Sequence, residues 1–319
     1  MKGLTDIPGI RVGHASDYDG LTGCTVILCE SGAVAGADIR GSASGTEEFE
    51  TMSPLHVTDK VHAVVFSGGS AFGLEAASGV RKFLAQKGIG FPTGAGPVPI
   101  VPSAILYDLS IGKASARPTR EMGEAAAAVA TDKAVQEGAV GAGTGATVGK
   151  LLGMKNAMKS GVGSATVPLE GKLSGVSVAA LAVVNAVGDV IDPQSGKIIA
   201  GTRREPGSRD FADSARLMKG GSASALRREN TSLVVVATNA SLTKVQAQKL
   251  AQLANLGVAR TISPVNTMSD GDVVVALSLG ALSAPIDAIG VAASEAVSQA
   301  ILRAVRSAPS LGGVPGLKQ

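Results

Sequence analysis

The chain has no tryptophan, two tyrosines and six phenylalanines among 319 residues. Its interior therefore cannot be organised around large rings and has to be built from Ala, Val, Leu and Ile. Charge is also scarce, at 17% against 45% hydrophobic residues, so most of the chain must be packed. One large α/β core is within reach of this length. A net charge of +3 is too small for nucleic-acid binding, which needs a clustered basic face. The densest arginine cluster (Arg203, Arg204, Arg209, Arg216, Arg227, Arg228) has a single aromatic residue, Phe211, interleaved, not the repeated stacking platforms that nucleic acid needs. Two cysteines, Cys24 and Cys29, make neither a disulfide framework nor a paired zinc site, and are expected to be core thiols. The three histidines, His14, His56 and His62, follow no metal-ligand spacing. That scarcity also argues against a serine–histidine–acid triad. The opening MKGLTDIPGIRVGHASD lacks the apolar core of a secretory signal, and VSVAALAVVNAVGDVI is interrupted by Asn185 and Asp189 before it could span a membrane. The expectation is a soluble, cytoplasmic protein.

What is present is alternation. TVILCE (25–30), HAVVFSGG (62–69), VSVAALAVVNAVGDVID (176–192), SLVVVATNA (232–240) and DVVVALSLG (272–280) are β-branched runs closed by turn residues, hence strands. Helices are expected over 70–88, 120–138, 242–257 and 285–308, where apolar residues recur at helical spacing. Strands apolar on both faces imply a sheet covered on both sides. One segment breaks the pattern. Residues 201–230 are polar, basic and rich in Gly and Ser, and a structureless connection of that length implies function or mobility.

The glycine-rich GAGTGATVGK (141–150) fails the P-loop spacing, with Thr at 144 and Leu at 151, and it fails the dinucleotide fingerprint. It can still bring backbone close to a site with Lys150 pointing in. A hydrolase so poor in histidine needs another base. A threonine at the start of a chain carries one, because its α-amine has a pKa near neutrality. An internal threonine reaches that state by attacking the carbonyl before it. Thr231 follows Asn230 at the junction of the polar segment and an apolar strand. The same arrangement also reads as an ordinary turn. Asp270 and Asp272 straddle Gly271 at the start of another strand; such a pair can hold an ammonium group and tune its proton affinity, or be no more than a strand-entry turn.

Several of these stretches, in order from about residue 5 to residue 305, resemble the self-processing P1 peptidases (family S58). That group contains L-aminopeptidase/D-esterase, β-peptidyl aminopeptidases and the endo-type nylon-oligomer hydrolase. The stretches are LTDIPGIRVGHASD, VVFSGGSAFGLEAASGVRKFL, VPIVPSAILYDL, GAGTGATVGK, VVNAVGDVIDP, ENTSLVVVATNA and NTMSDGDVVVAL. The resemblance implies a single domain with a four-layer α/β/β/α sandwich of the N-terminal-nucleophile type. It implies self-cleavage between Asn230 and Thr231 into fragments 1–230 and 231–319, with 201–230 a mobile lead-in. Thr231 would be the nucleophile, with Ser232 one register away. Asp270 and Asp272 fall where the nylon-hydrolase branch has its paired carboxylates, and Lys150 and Asn185 match pocket residues of that branch. Asn185 would donate to the oxyanion. The aminopeptidase branch has a tyrosine in the glycine loop, and residues 141–164 contain none. No cofactor or metal is implied. The implied substrate is a small peptide or aminoacyl amide, and the implied assembly a homo-oligomer of processed units. Two rivals stand beside this reading: an acyl transferase resembling the ornithine acetyltransferases, which also self-cleave before a threonine, and a member that folds but never cleaves.

Overall fold

The computed structural model describes residues 1–221 and 230–318, so Arg227 and Arg228 lie outside the described residues. The strand Thr22–Ile39 organises the molecule. Its first half pairs with Arg11–Asp17 and Val61–Ser67, and its second half with Val273–Leu282. The sheet then continues through Thr231–Ala240 and Ser177–Asn185 to Val162–Pro168. Because one strand serves both halves, the sheet doubles over and two β layers face each other.

Side-chain alternation along the strands sorts residues into layers. Leu233, Val235, Val273, Val275, Ile27, Val64 and Phe66 point between the β layers and form the inner core. Their neighbours Val234, Val236, Val274 and Ala276 point outward against helices. Val26, Leu28, Ala63 and Val65 do the same on the opposite side. The helices are α1 (Glu75–Gln86), α2 (Arg120–Ala128), α3 (Ser214–Lys219), α4 (Lys244–Thr261) and α5 (Ile286–Arg306). The α1–α2 pair covers one outer face and the α4–α5 pair the other. The result is the α/β/β/α sandwich. α4 starts with a capping box in which Thr243 and Gln246 satisfy each other's backbone N–H groups. It can lie close to the sheet because a Cβ on Gly36 would stand 2.3 Å from the Gln248 nitrogen. α5 is long and apolar enough to cross a membrane, but 67% of its most apolar window is buried in this fold.

Two expectations need correction. The helix expected over 120–138 ends at Ala128. Beyond it Thr131 exchanges two backbone hydrogen bonds with Val12, and Gly138 pairs with Val162, so sheet partners take the backbone from the helix. Residues 201–221 are not structureless either. The buried Asp189 carboxylate accepts from Thr202 N at 2.8 Å and from Ser214 N and Oγ at 2.6 and 2.7 Å, which ties down the start of α3. Cys24 and Cys29 are free and buried, and burial pushes both thiols up to about 12.

Candidate active site

Strand topology explains why distant residues meet. Thr231 begins a strand whose antiparallel neighbour ends at Asn185, directly opposite it. The parallel neighbour runs from Val273, opposite Leu233, and Asn230 bridges to Asp270 just ahead of it. Parallel pairing sets two strand starts side by side, and the antiparallel strand brings its end to the same edge. Asn230, Thr231, Asn185, Asp270 and Asp272 are all buried there, each at most 4% exposed.

The Thr231 hydroxyl donates to the Asn230 carbonyl oxygen at 2.5 Å. The Gly271 N–H donates to the same oxygen at 2.8 Å. A Cβ on Gly271 would stand 2.8 Å from Thr231 Oγ1 and 2.7 Å from the Ala43 carbonyl oxygen, so the turn presses directly on the hydroxyl. Asp272 accepts from Ser232 N at 2.6 Å and Asn266 N at 2.9 Å. Asp270 accepts from Thr267 Oγ1 at 2.6 Å, with longer contacts to Thr267 N and Val187 N. Burial raises both carboxyls above their ordinary value, and the charge of Asp270 helps push Asp272 up to about 7. The Lys150 charge acts against the rise at Asp270.

Lys150 arrives from the other side. Its Nζ donates to the backbone oxygen and to Oδ1 of Asn185, both at 2.8 Å. Thr147 N adds a second donor to Oδ1 at 3.1 Å, while Asn185 Nδ2 donates to the Tyr107 carbonyl at 2.9 Å. The amide oxygen of Asn185 thus faces Lys150, and its N–H donates to Tyr107 rather than standing free for the oxyanion that the family resemblance implied. The loop bearing Lys150 docks backbone to backbone: Gly149 has φ +68, and a Cβ there would lie 2.0 Å from the Gly201 carbonyl carbon. Behind it, the fully buried Lys159 donates to the carbonyls of Gly143, Ala146 and Ser160. Burial lowers this amine to about 7.

All five candidate site residues therefore converge, Lys150 through Asn185. The sequence reading missed Thr147, Tyr107, Asn266 and Thr267. Thr267 alone carried a signal, since a hydroxyl three residues before an aspartate can bond back to it. Tyr107 and Asn266 act through backbone groups, which no residue type announces. Among the described residues no group of three or more His, Cys, Asp or Glu is placed to hold a metal ion.

Solved structures share this architecture. The L-aminopeptidase D-Ala-esterase/amidase of Ochrobactrum anthropi, described as a variant of the Ntn-hydrolase fold, aligns with a TM-score of 0.75 at 20% identity, over 98% of this chain and 88% of that one. A Burkholderia β-aminopeptidase aligns with a TM-score of 0.72 at 21% identity, over 99% and 91%. Fold and sequence relatives together define the class: a hydrolase of the N-terminal-nucleophile fold acting on peptide or amide bonds. The sequence relatives are nearer. A Mycobacterium leprae protein named as an uncharacterized aminopeptidase is 39% identical over 99% of this chain and 93% of its own length. The 6-aminohexanoate-oligomer endohydrolase of Paenarthrobacter ureafaciens is 29% identical over 94% and 84%. The model of peptidase family S58 matches residues 2–319, and the chain belongs to that family.

Proposed function

We propose that the chain is a self-cleaving amidohydrolase whose nucleophile is Thr231, set free by scission of the Asn230–Thr231 bond. The observation that carries the reading is the Thr231 hydroxyl resting 2.5 Å from the carbonyl oxygen of Asn230, which Gly271 N–H already polarises. Attack of Oγ1 on that carbonyl carbon moves charge onto the oxygen, where the Gly271 amide can meet it. The hydroxyl proton passes to the departing nitrogen, with the buried Asp270 and Asp272 carboxyls nearby as carriers. Water then hydrolyses the ester, leaving the Asn230 carboxylate and a free α-amine on Thr231.

In turnover the amine is the general base for the threonine hydroxyl. Asp270 and Asp272 balance and orient the ammonium form, while Lys150, positioned by Asn185 Oδ1, is the cation for the acyl oxygen. Relatives named as aminopeptidases and as a 6-aminohexanoate-oligomer endohydrolase favour short peptides, aminoacyl amides or linear amino-acid oligomers as substrates. The two fragments would stay interleaved, because Ser177–Asn185 of the first pairs with Thr231–Ala240 of the second. We place the processed units in a cytoplasmic homo-oligomer.

Intact mass under denaturing conditions, beside a Thr231→Ala control, tests the reading. Two species that meet at Asn230/Thr231 in the wild type, with a single chain in the control, are expected. A folded wild-type chain that stays whole overturns the assignment of Thr231.

A further inference from the structure

The loop that carries Lys150 continues to Lys155, and there it borders an open cleft of about 730 Å³ that the chemistry above does not use. The cleft lies between Lys155, Arg203, Pro206–Gly207 and the C-terminal stretch Leu311–Pro315. Arg203 is 7% exposed, yet no carboxylate pairs with it among the described residues. Its Nη2 donates to the Lys155 carbonyl at 2.7 Å, and its buried Nε has no partner among the described residues. A guanidinium withdrawn from water without a counter-charge is costly, and an anion in the cleft would offset that cost. Two glycines leave room for one: with φ +94 at Gly207 and +76 at Gly313, an added Cβ at either would meet nothing within 4 Å.

A chain of contacts runs from the residues beside the cleft to Asn185, which pairs with Thr231. Met154, next to Lys155, packs against the cluster of Leu21, Ile111 and Val314, as does Leu311. The Met154 sulfur lies 4.0 Å from Thr147 Oγ1, which is 3.5 Å from Asn185 Oδ1. Leu311 and Val314 of the same cluster line the cleft.

We propose that this cleft is an anion subsite that holds a carboxylate of the amide substrate, with Arg203 its main ligand and exposed Lys155 a second. The subsite rests on the reading of Thr231 as nucleophile for its role in turnover, but not for its affinity. A substrate with a free terminal acid would bind with that acid here and its scissile amide at Thr231.

Two measurements test it. The first compares a short aminoacyl amide substrate bearing a terminal carboxylate with its neutral terminal-amide twin. Arg203→Gln should raise KM for the acid by about 10- to 100-fold, the range of a lost charge-assisted bond, and leave the neutral twin and both kcat values near wild type. Lys155→Ala, at an exposed position where folding is not at risk, should move KM in the same direction by a few-fold. Equal shifts for acid and neutral twin, or no shift, overturn the subsite. The second is calorimetric titration of glutarate into the Thr231→Ala protein, with and without Arg203→Gln. Binding that depends on Arg203 supports the site even if Thr231 proves not to be the nucleophile. Absent binding, or binding indifferent to Arg203, overturns it.

Discussion

In a chain that cannot cleave, Asp272→Asn is expected to reverse its effect on stability between acid and neutral pH. Asp272 sits 1% exposed beside Asp270, and its carboxyl is pushed from an ordinary 3.8 to about 7. The folded carboxyl keeps its proton where the unfolded one has lost it. Stability is therefore fully present below about pH 4 and falls as pH rises through about 7. The difference of about 3 in pKa, at about 1.4 kcal/mol for each, bounds the loss at ~4 kcal/mol. Asparagine carries no such dependence, but it has its own cost. Ser232 N–H and Asn266 N–H each donate to a different carboxyl oxygen. A protonated carboxyl can still accept at both oxygens, whereas an amide nitrogen cannot, so one buried N–H is left facing a donor at about 2 kcal/mol.

Near pH 4, where the loss has barely begun, the variant should then be less stable by about 1.5 kcal/mol, and near pH 8, where it is complete, more stable by about 2 kcal/mol. Removing the neighbouring charge also relieves Asp270, which strengthens the second effect. Urea unfolding of Thr231→Ala and Thr231→Ala/Asp272→Asn at the two pH values measures both signs in one background, without an N-terminal ammonium to complicate the site. A variant destabilised equally at both pH values would mean that Asp272 is ionised throughout, and the reasoning from burial would be wrong. In the cleavable chain the same substitution should lower turnover by about 100-fold or more, since it removes a charge facing the amine.

Gly271→Ala places a Cβ 2.8 Å from Thr231 Oγ1 and 2.7 Å from a backbone oxygen; self-cleavage followed by gel or mass should slow at least ~10-fold while unfolding shifts by only about 1–3 kcal/mol. Wild-type cleavage kinetics in that variant would show that the turn does not position the hydroxyl. Thr267→Val removes the 2.6 Å bond that favours ionised Asp270. The Asp270 carboxyl should rise further, and the pH profile of cleavage should move to higher pH. An unmoved or acid-shifted profile would detach Asp270 from the reaction. Gly149→Ala must accept both φ +68 and a contact of 2.0 Å with Gly201. A loss of about 2–5 kcal/mol follows from left-handed strain plus backbone overlap, read by urea denaturation, and an unchanged midpoint would refute the docking of the Lys150 loop.

The strands were legible because β-branched runs such as Leu233–Val236 impose their own period, and the fold then needs only to decide which face is inner. The end of α2 was not. Nothing in the Ala-rich run says that Thr131 will prefer Val12 as a partner, and that choice belongs to the sheet. The same limit applies to the site. Thr231, Asn185 and the Asp270–Asp272 turn are far apart in sequence, and only the mixed pairing of three strands brings them to one edge; the family resemblance supplied the residues but not the bonds between them. Where chemistry is done by backbone, as at Gly271 N–H and the Tyr107 carbonyl, composition is silent. Arg203 shows the converse. In sequence it is one arginine of a basic, polar segment, and the physical expectation for such a run is solvation. Asp189 instead anchors that segment through Thr202 and Ser214, which carries the residue after Thr202, Arg203, under cover without a counter-charge among the described residues. A buried cation with no counter-charge among the described residues and a buried pair of carboxyls that raise one another are both poor choices for stability alone. Each becomes intelligible once a charged group, a substrate carboxylate in one case and the Thr231 ammonium in the other, is expected to arrive beside it.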